Sequence, residues 1–207
     1  MTQGHLLKLL CSNQVKKIAH DCRLDSGALY KHYNAVLSNV FDTQMAHILI
    51  NVRNGSDSWW DPARASLKTL CFIYNVPLLA SLKDSVKYSM TQNDSFWSER
   101  PLTDRMVNYA AADAAQLIPL YSKILPLLSE SDRGLMCQLS KEQIYTMIDG
   151  DWVRSIQSFR KGKELHERLK QLPDLPLSKQ QRKLLNRYRH LVSIPQAPPA
   201  QPTLRDI

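Results

Sequence analysis

No run of apolar residues in this sequence approaches the roughly 20 needed to cross a bilayer as a helix. The opening Leu6-Leu7-Lys8-Leu9-Leu10-Cys11 is too short and too interrupted to be the core of a signal peptide. No internal repeat is present, and no two cysteines stand at CxxC spacing. The thiols Cys11, Cys22, Cys71 and Cys137 are scattered and match no metal-ligand pattern. These absences argue against a membrane-spanning protein, a zinc module and a secreted disulfide scaffold. They predict reduced, mostly buried thiols in an intracellular protein of the cytoplasm or nucleus, with no membrane partner.

What is present is ordinary globular composition: 207 residues, 43% hydrophobic and 22% charged. That suits one domain with an appendage, or two small domains. The net charge of +8 is unevenly placed, because residues 151–207 carry 12 Lys/Arg against 5 Asp/Glu while residues 1–150 carry 15 against 14. A near-neutral body with a basic end fits a protein that meets a polyanion; a merely solubilising end is the equal alternative.

Hydrophobic spacing predicts a short helix over Leu6 to Leu10, a strand over Val15 to His20, a polar turn over Asp21 to Asp25 and a helix from Ser26 to Tyr33. A second strand, Val40 to Thr43, feeds a helix through Met45, Ile48, Leu49 and Val52. This alternation is α/β, with only two strands visible. Ser66 to Tyr74 reads as a helix and residues 75–100 as loop. A long helix opens at Thr103 or Asp104, with Met106, Tyr109, Ala110, Asp113, Leu117 and Tyr121 on one stripe, a kink at Pro119 and an end at Pro126. Ser140 and Ser178, each followed three residues later by Gln, have capping-box spacing and predict the starts of two amphipathic helices. A proline-rich tail follows from Pro195.

Tyr109 and Asp113 lie four apart on a helix whose other local residues are alanines, a smooth surface that another backbone or a nucleic-acid strand can approach. A charge on the apolar stripe needs a partner, either an ordinary hydrogen bond or ion pair, or a cation. Trp59, Trp60 and Trp97 could stack bases, although burial is the favoured role for each. Arg154, Arg160, Lys161, Lys163, Arg182, Lys183, Arg187 and Arg189 either grip phosphates or form the wet face of their helices. His20 reads as a satisfied, partly buried histidine, Cys22 as structural, and Asp42 as a carboxylate that ends a strand and caps the next helix.

Lys17-Ile-Ala-His20-Asp21-Cys-Arg-Leu-Asp25-Ser26, Val40-Phe-Asp-Thr-Gln44, Arg100-Pro-Leu-Thr103 and Tyr109-Ala-Ala-Ala-Asp113 stand in this order. The series closely resembles the 3′–5′ exonuclease domain of the DEDDy class, ribonuclease D and the animal exonuclease-domain proteins among them. The resemblance covers roughly residues 4–128. It implies an incomplete ribonuclease H-like α/β exonuclease fold, mostly helical with a remnant sheet, over residues 1–130. A basic helical extension (131–194) and a disordered proline-rich tail (195–207) would follow.

It further implies two-metal phosphodiester hydrolysis with Mg²⁺ or Mn²⁺, with Asp25 and Asp113 as metal ligands and Tyr109 orienting the nucleophile. The partners implied are nucleic acid, single-stranded RNA favoured over DNA, and proteins of an RNA-processing complex. One departure is serious. The family's first acidic motif, Asp-x-Glu, occurs nowhere in this chain. The expectation is therefore an inactive nuclease, or alternatively an RNA-binding or protein-interaction adaptor built on the same domain.

Overall fold

The computed structural model describes residues 5–77, 83–93 and 95–193. Its elements are α1 (His5–Cys11), β1 (Lys17–Ala19), α2 (Arg23–Tyr33), β2 (Val40–Asp42), α3 (Thr43–Arg53), α4 (Leu67–Ile73), α5 (Lys83–Gln92), α6 (Asp104–Ala115), α7 (Leu117–Ile124), α8 (Glu130–Tyr145), α9 (Gly150–Gln171) and α10 (Lys179–Ser193). The fold is mostly helical around a small sheet. β1 and β2 run parallel, with Lys17 opposite Val40 and Ala19 opposite Asp42, and α2 is the crossover between them. The predicted tail from Pro195 lies outside the described residues. Among those residues, no helix is long and apolar enough to cross a membrane.

β2 is buried throughout and carries the weight of the layer. Its last residue, Asp42, is fully buried and accepts four backbone N–H groups. Oδ1 takes Gln44 at 2.9 Å, Met45 at 3.3 Å and Asp21 at 3.1 Å, and Oδ2 takes Cys22 at 2.9 Å. One carboxylate therefore caps α3 and also holds the residues that open α2. This explains why α2 starts at Arg23 rather than at the predicted Ser26. Its opening has no side-chain cap of its own, and the carboxylate that supplies one stands 20 residues away. Asp25 thus belongs to the first turn of a helix, not to a turn before it.

The main core joins α3, α4, α7 and α8 through Ile48, Leu49, Leu70, Leu120, Ile124 and Leu139, all fully buried or nearly so. A second cluster joins Cys22, Leu37, Val40, Ile144, Tyr145 and Val153. α8 lies against β2, α2 and α3. On it, buried Ser140 accepts the Asp42 N–H at 3.2 Å, so Ser140 is an interior packing residue and not the start of a helix. The capping box that opens α8 is Ser129 with Asp132. The predicted box at Ser178 and Gln181 does open α10, with reciprocal bonds of 2.8 and 3.2 Å. Two further expectations fail locally. The predicted loop over residues 75–100 contains α5, and the single long helix from Thr103 is two helices. They part at Gln116, three residues before Pro119, whose ring nitrogen cannot donate to the Ala115 carbonyl.

α10 packs along α9 at a close crossing. A Cβ on Gly162 would come within 2.6 Å of the Tyr188 Cβ. Gly162→Ala is therefore expected to pry the two helices apart and cost about 1–3 kcal/mol, measured by urea unfolding; a neutral result would show the crossing to be soft.

Candidate active site

Asp25 stands in the first turn of α2, where a carboxylate complements the helix dipole. Its side chain is exposed and lines a shallow depression with Ala28, Leu29, His32 and Tyr33. The neighbouring face of α2 is held to the end of α8, where Ser26 Oγ donates to the Ile144 carbonyl at 3.0 Å. Tyr109 lies on α6, half-buried, its ring centroid 6.0 Å from that of Trp97, which in turn meets Phe96 edge-on at 5.2 Å. Asp113, one turn further along, is half-exposed. The buried stripe here runs through Met106, Ala112, Gln116, Leu120 and Ile124, so Asp113 sits at its border rather than on it. The desolvation that would demand a compensating cation is correspondingly smaller.

α2 packs chiefly on α8, whereas α6 packs on α5 and α7. The depression at Asp25 is lined by neither Tyr109 nor Asp113. Among the described residues, no group of three or more His, Cys, Asp or Glu side chains is placed to hold a metal ion. A two-ion centre needs several carboxylates to offset four positive charges. Asp25 and Asp113 offer two, and that donor set does not fit a two-metal site.

The remaining candidates divide by direction. Arg160 is turned inward: it pairs with Glu142, which is 1% exposed, and lies over the Trp59 ring at 4.9 Å. Burial pushes the Glu142 carboxyl up, against the opposing pull of Arg160. Lys161 donates to the Trp60 carbonyl at 2.8 Å and lies over that ring at 5.9 Å. The two indoles therefore serve as the seat on which α9 rests. Lys163 is exposed at the lip of a cleft of about 680 Å³ between the end of α3, α8 and α9. Arg154 is exposed and paired with Asp151. On α10, Arg182, Lys183, Arg187 and Arg189 lie towards solvent while Leu185 and Tyr188 are buried.

His20 is satisfied, as expected. His20 Nδ1 lies 3.0 Å from Thr43 Oγ1, a hydroxyl that is also within hydrogen-bond distance of the Ala19 carbonyl at 3.0 Å. Burial holds His20 below its ordinary pKa. Cys22 is buried and its thiol is pushed far up, chiefly by desolvation and then by Asp42, which leaves it unreactive. Cys11 and Cys137, by contrast, are exposed free thiols, because the short α1 buries none of its residues and Cys137 faces out from α8; half of the cysteines depart from the buried expectation.

The family model for the 3′–5′ exonuclease matches residues 2–129. The chain belongs to the 3′–5′ exonuclease family. The matched segment spans all four motifs and resembles ribonuclease D in particular. The human piRNA biogenesis protein EXD1 is 28% identical over 197 residues, which cover 89% of this chain and 35% of that protein. Ribonuclease D of Acidiphilium cryptum is 28% identical over 125 residues, 60% of this chain and 27% of that protein. The chain thus spans about a third of the human relative's length and less of the bacterial one. Among solved structures, RNase D of Trypanosoma brucei superposes with a TM-score of 0.57 at 21% identity, over 70% of this chain and 49% of that one. That likeness is one of fold.

Proposed function

We propose that this chain binds single-stranded nucleic acid, RNA in preference to DNA, on an exonuclease-family scaffold, and that its 207 residues do not by themselves hydrolyse it. The observation that carries the second half is chemical. The acidic motif residues present, Asp25 and Asp113, leave the charge of two divalent ions uncompensated, and the chain contains no Asp-x-Glu to supply the rest. Family membership and the basic face of α10 support the first half; the relatives named for RNA work favour RNA. If the family's roles were restored by further carboxylates, Asp113 and Asp25 would be their natural ligand partners and Tyr109 the residue that orients the nucleophile. A protein-interaction role beside RNA is compatible with the same domain.

The test has two arms. A 3′-labelled RNA incubated with the chain and Mn²⁺ is expected to release no nucleotide; release that Asp113→Ala abolishes would overturn the inactive reading. Binding of the same RNA, followed by fluorescence anisotropy, is expected to weaken linearly with the logarithm of salt. Replacing Arg182, Lys183, Arg187 and Arg189 together by Ala should flatten that slope by about 0.7 for each phosphate that these side chains neutralise. An unchanged slope would remove α10 from the interface.

A further inference from the structure

Two of the four thiols are exposed, and the fold brings both to one cleft. Cys11 ends α1 and Cys137 lies within α8, yet both line a cleft of about 530 Å³ beside the start of β2. Helix geometry fixes the direction of Cys137. It shares a stripe of α8 with Ser140, Lys141 and Ile144, which follow at helical spacing and line the same cleft. Ser140 and Ile144 are buried where that stripe meets the sheet, whereas Cys137, one turn earlier, opens to solvent at the mouth. Cys11 is held on another wall. The carbonyl of its neighbour Leu10 accepts the Ser38 N–H at 3.2 Å, and Leu10 packs on the cluster that contains Ile144. Cys22 and Cys71 are buried and line no part of this cleft.

Two thiols in one accessible cleft have a chemistry that a single thiol lacks, because the first sulfur to be oxidised has a second at hand to resolve it. The lining favours that meeting. No carboxylate lines the cleft, and Lys141 is the only formal charge among its lining residues. The Lys17 ammonium donates to the carbonyl of Ser12, next to Cys11 in the chain. Neither wall therefore repels a thiolate that approaches from the other. α1 is also easily displaced, since it is seven residues long and buries none of them. We infer that Cys11 and Cys137 are a redox-modification site, at which hydrogen peroxide converts the two thiols into a disulfide that fastens α1 to α8. A disulfide holds its Cα atoms about 6 Å apart, so the bond closes the cleft between the two walls. Either sulfur attacks one peroxide oxygen; the O–O bond breaks, a sulfenic acid forms and water leaves. The second sulfur then attacks the sulfenic sulfur. The S–S bond forms, the S–O bond breaks, and a second water leaves with the remaining thiol proton. Two electrons pass from the thiols to one peroxide. Neither thiol belongs to the surfaces assigned to nucleic acid.

The full chain is treated with hydrogen peroxide at low protein concentration, quenched with catalase, unfolded and alkylated with N-ethylmaleimide. The native chain should lose two of its four alkylatable thiols, and peptide mapping should find Cys11 joined to Cys137. Dithiothreitol should restore all four. Cys11→Ser and Cys137→Ser should each leave the other exposed thiol as a sulfenic acid that dimedone traps, with no internal bond. The bond should raise the melting temperature of the native chain by roughly 5 °C, because it cross-links residues distant in sequence, and neither variant should show the rise. Dimedone adducts on both Cys11 and Cys137 of the native chain overturn the pair. So does a bond that joins two chains, or one that includes Cys22 or Cys71. An oxidised native chain that melts no higher than the reduced one overturns the fastening of α1 to α8.

Discussion

Replacement of Asp42 by alanine is expected to cost about 4 kcal/mol or more and to leave the chain largely unfolded under conditions where the native protein melts cooperatively. The side chain is fully buried and accepts four backbone N–H groups from two segments of the chain. Removing it strands donors that cost on the order of 1–3 kcal/mol each when buried without a partner. Total stabilities of single domains are only about 5–15 kcal/mol. Asn is the informative comparison. Its oxygen can serve Gln44, Met45 and Asp21, but its amide nitrogen then faces the Cys22 N–H, donor against donor. Asp42→Asn should therefore fall between the native chain and Asp42→Ala, at about 2 kcal/mol. Urea midpoints at constant m-value would measure the series. A loss below about 1 kcal/mol for alanine would show that water reaches these N–H groups and that the carboxylate is not the joint between α2 and α3.

Asp42 also marks the boundary of what the sequence makes legible. Its local role, ending a strand and capping the next helix, follows from Val-Phe-Asp-Thr-Gln alone, because both donors lie within three residues. Its other role, opening α2, depends on a partner 20 residues away, and the start of α2 is misplaced for that reason. The same division holds elsewhere. The Ser178–Gln181 box is legible and real, but Ser140 has the same spacing and is consumed in packing against β2, since spacing reports which bonds are available and not which element claims them. The family is legible in four ordered motifs, and the match over residues 2–129 agrees with it. What those motifs do not show is where their side chains point: Asp113 lies at the edge of its stripe because Gln116, not Asp113, continues it. Cys11 and Cys137 stand at no motif spacing. Only the fold brings them to one cleft.

The basic residues of α9 illustrate a further limit, and they carry the second large expected effect. Summing charges along the chain treats Arg160 as one more cation for a polyanion. In the structure it is the charge partner of a carboxylate that is 1% exposed, and its own side chain is only 16% exposed. Removing one partner of a buried pair strands the other, typically at about 3–5 kcal/mol. Arg160→Ala should therefore destabilise the protein by that amount, and Trp59 loses its stacked guanidinium as well. The pH dependence gives the mechanism. Burial already raises the Glu142 pKa above its ordinary value of 4.5, and Arg160 opposes the rise. A group whose folded-state pKa is raised contributes stability that is complete below its unfolded value and is lost as pH climbs through the folded one. Without Arg160 the folded value moves higher still, so the deficit of the variant should be small near about pH 4 and grow toward about pH 8. Adding Glu142→Gln removes the titrating group and should abolish that growth. Native and Arg160→Ala chains that differ equally at both ends of the range would mean that the pair acts through packing alone, and that Glu142 keeps its proton or its solvent in either case.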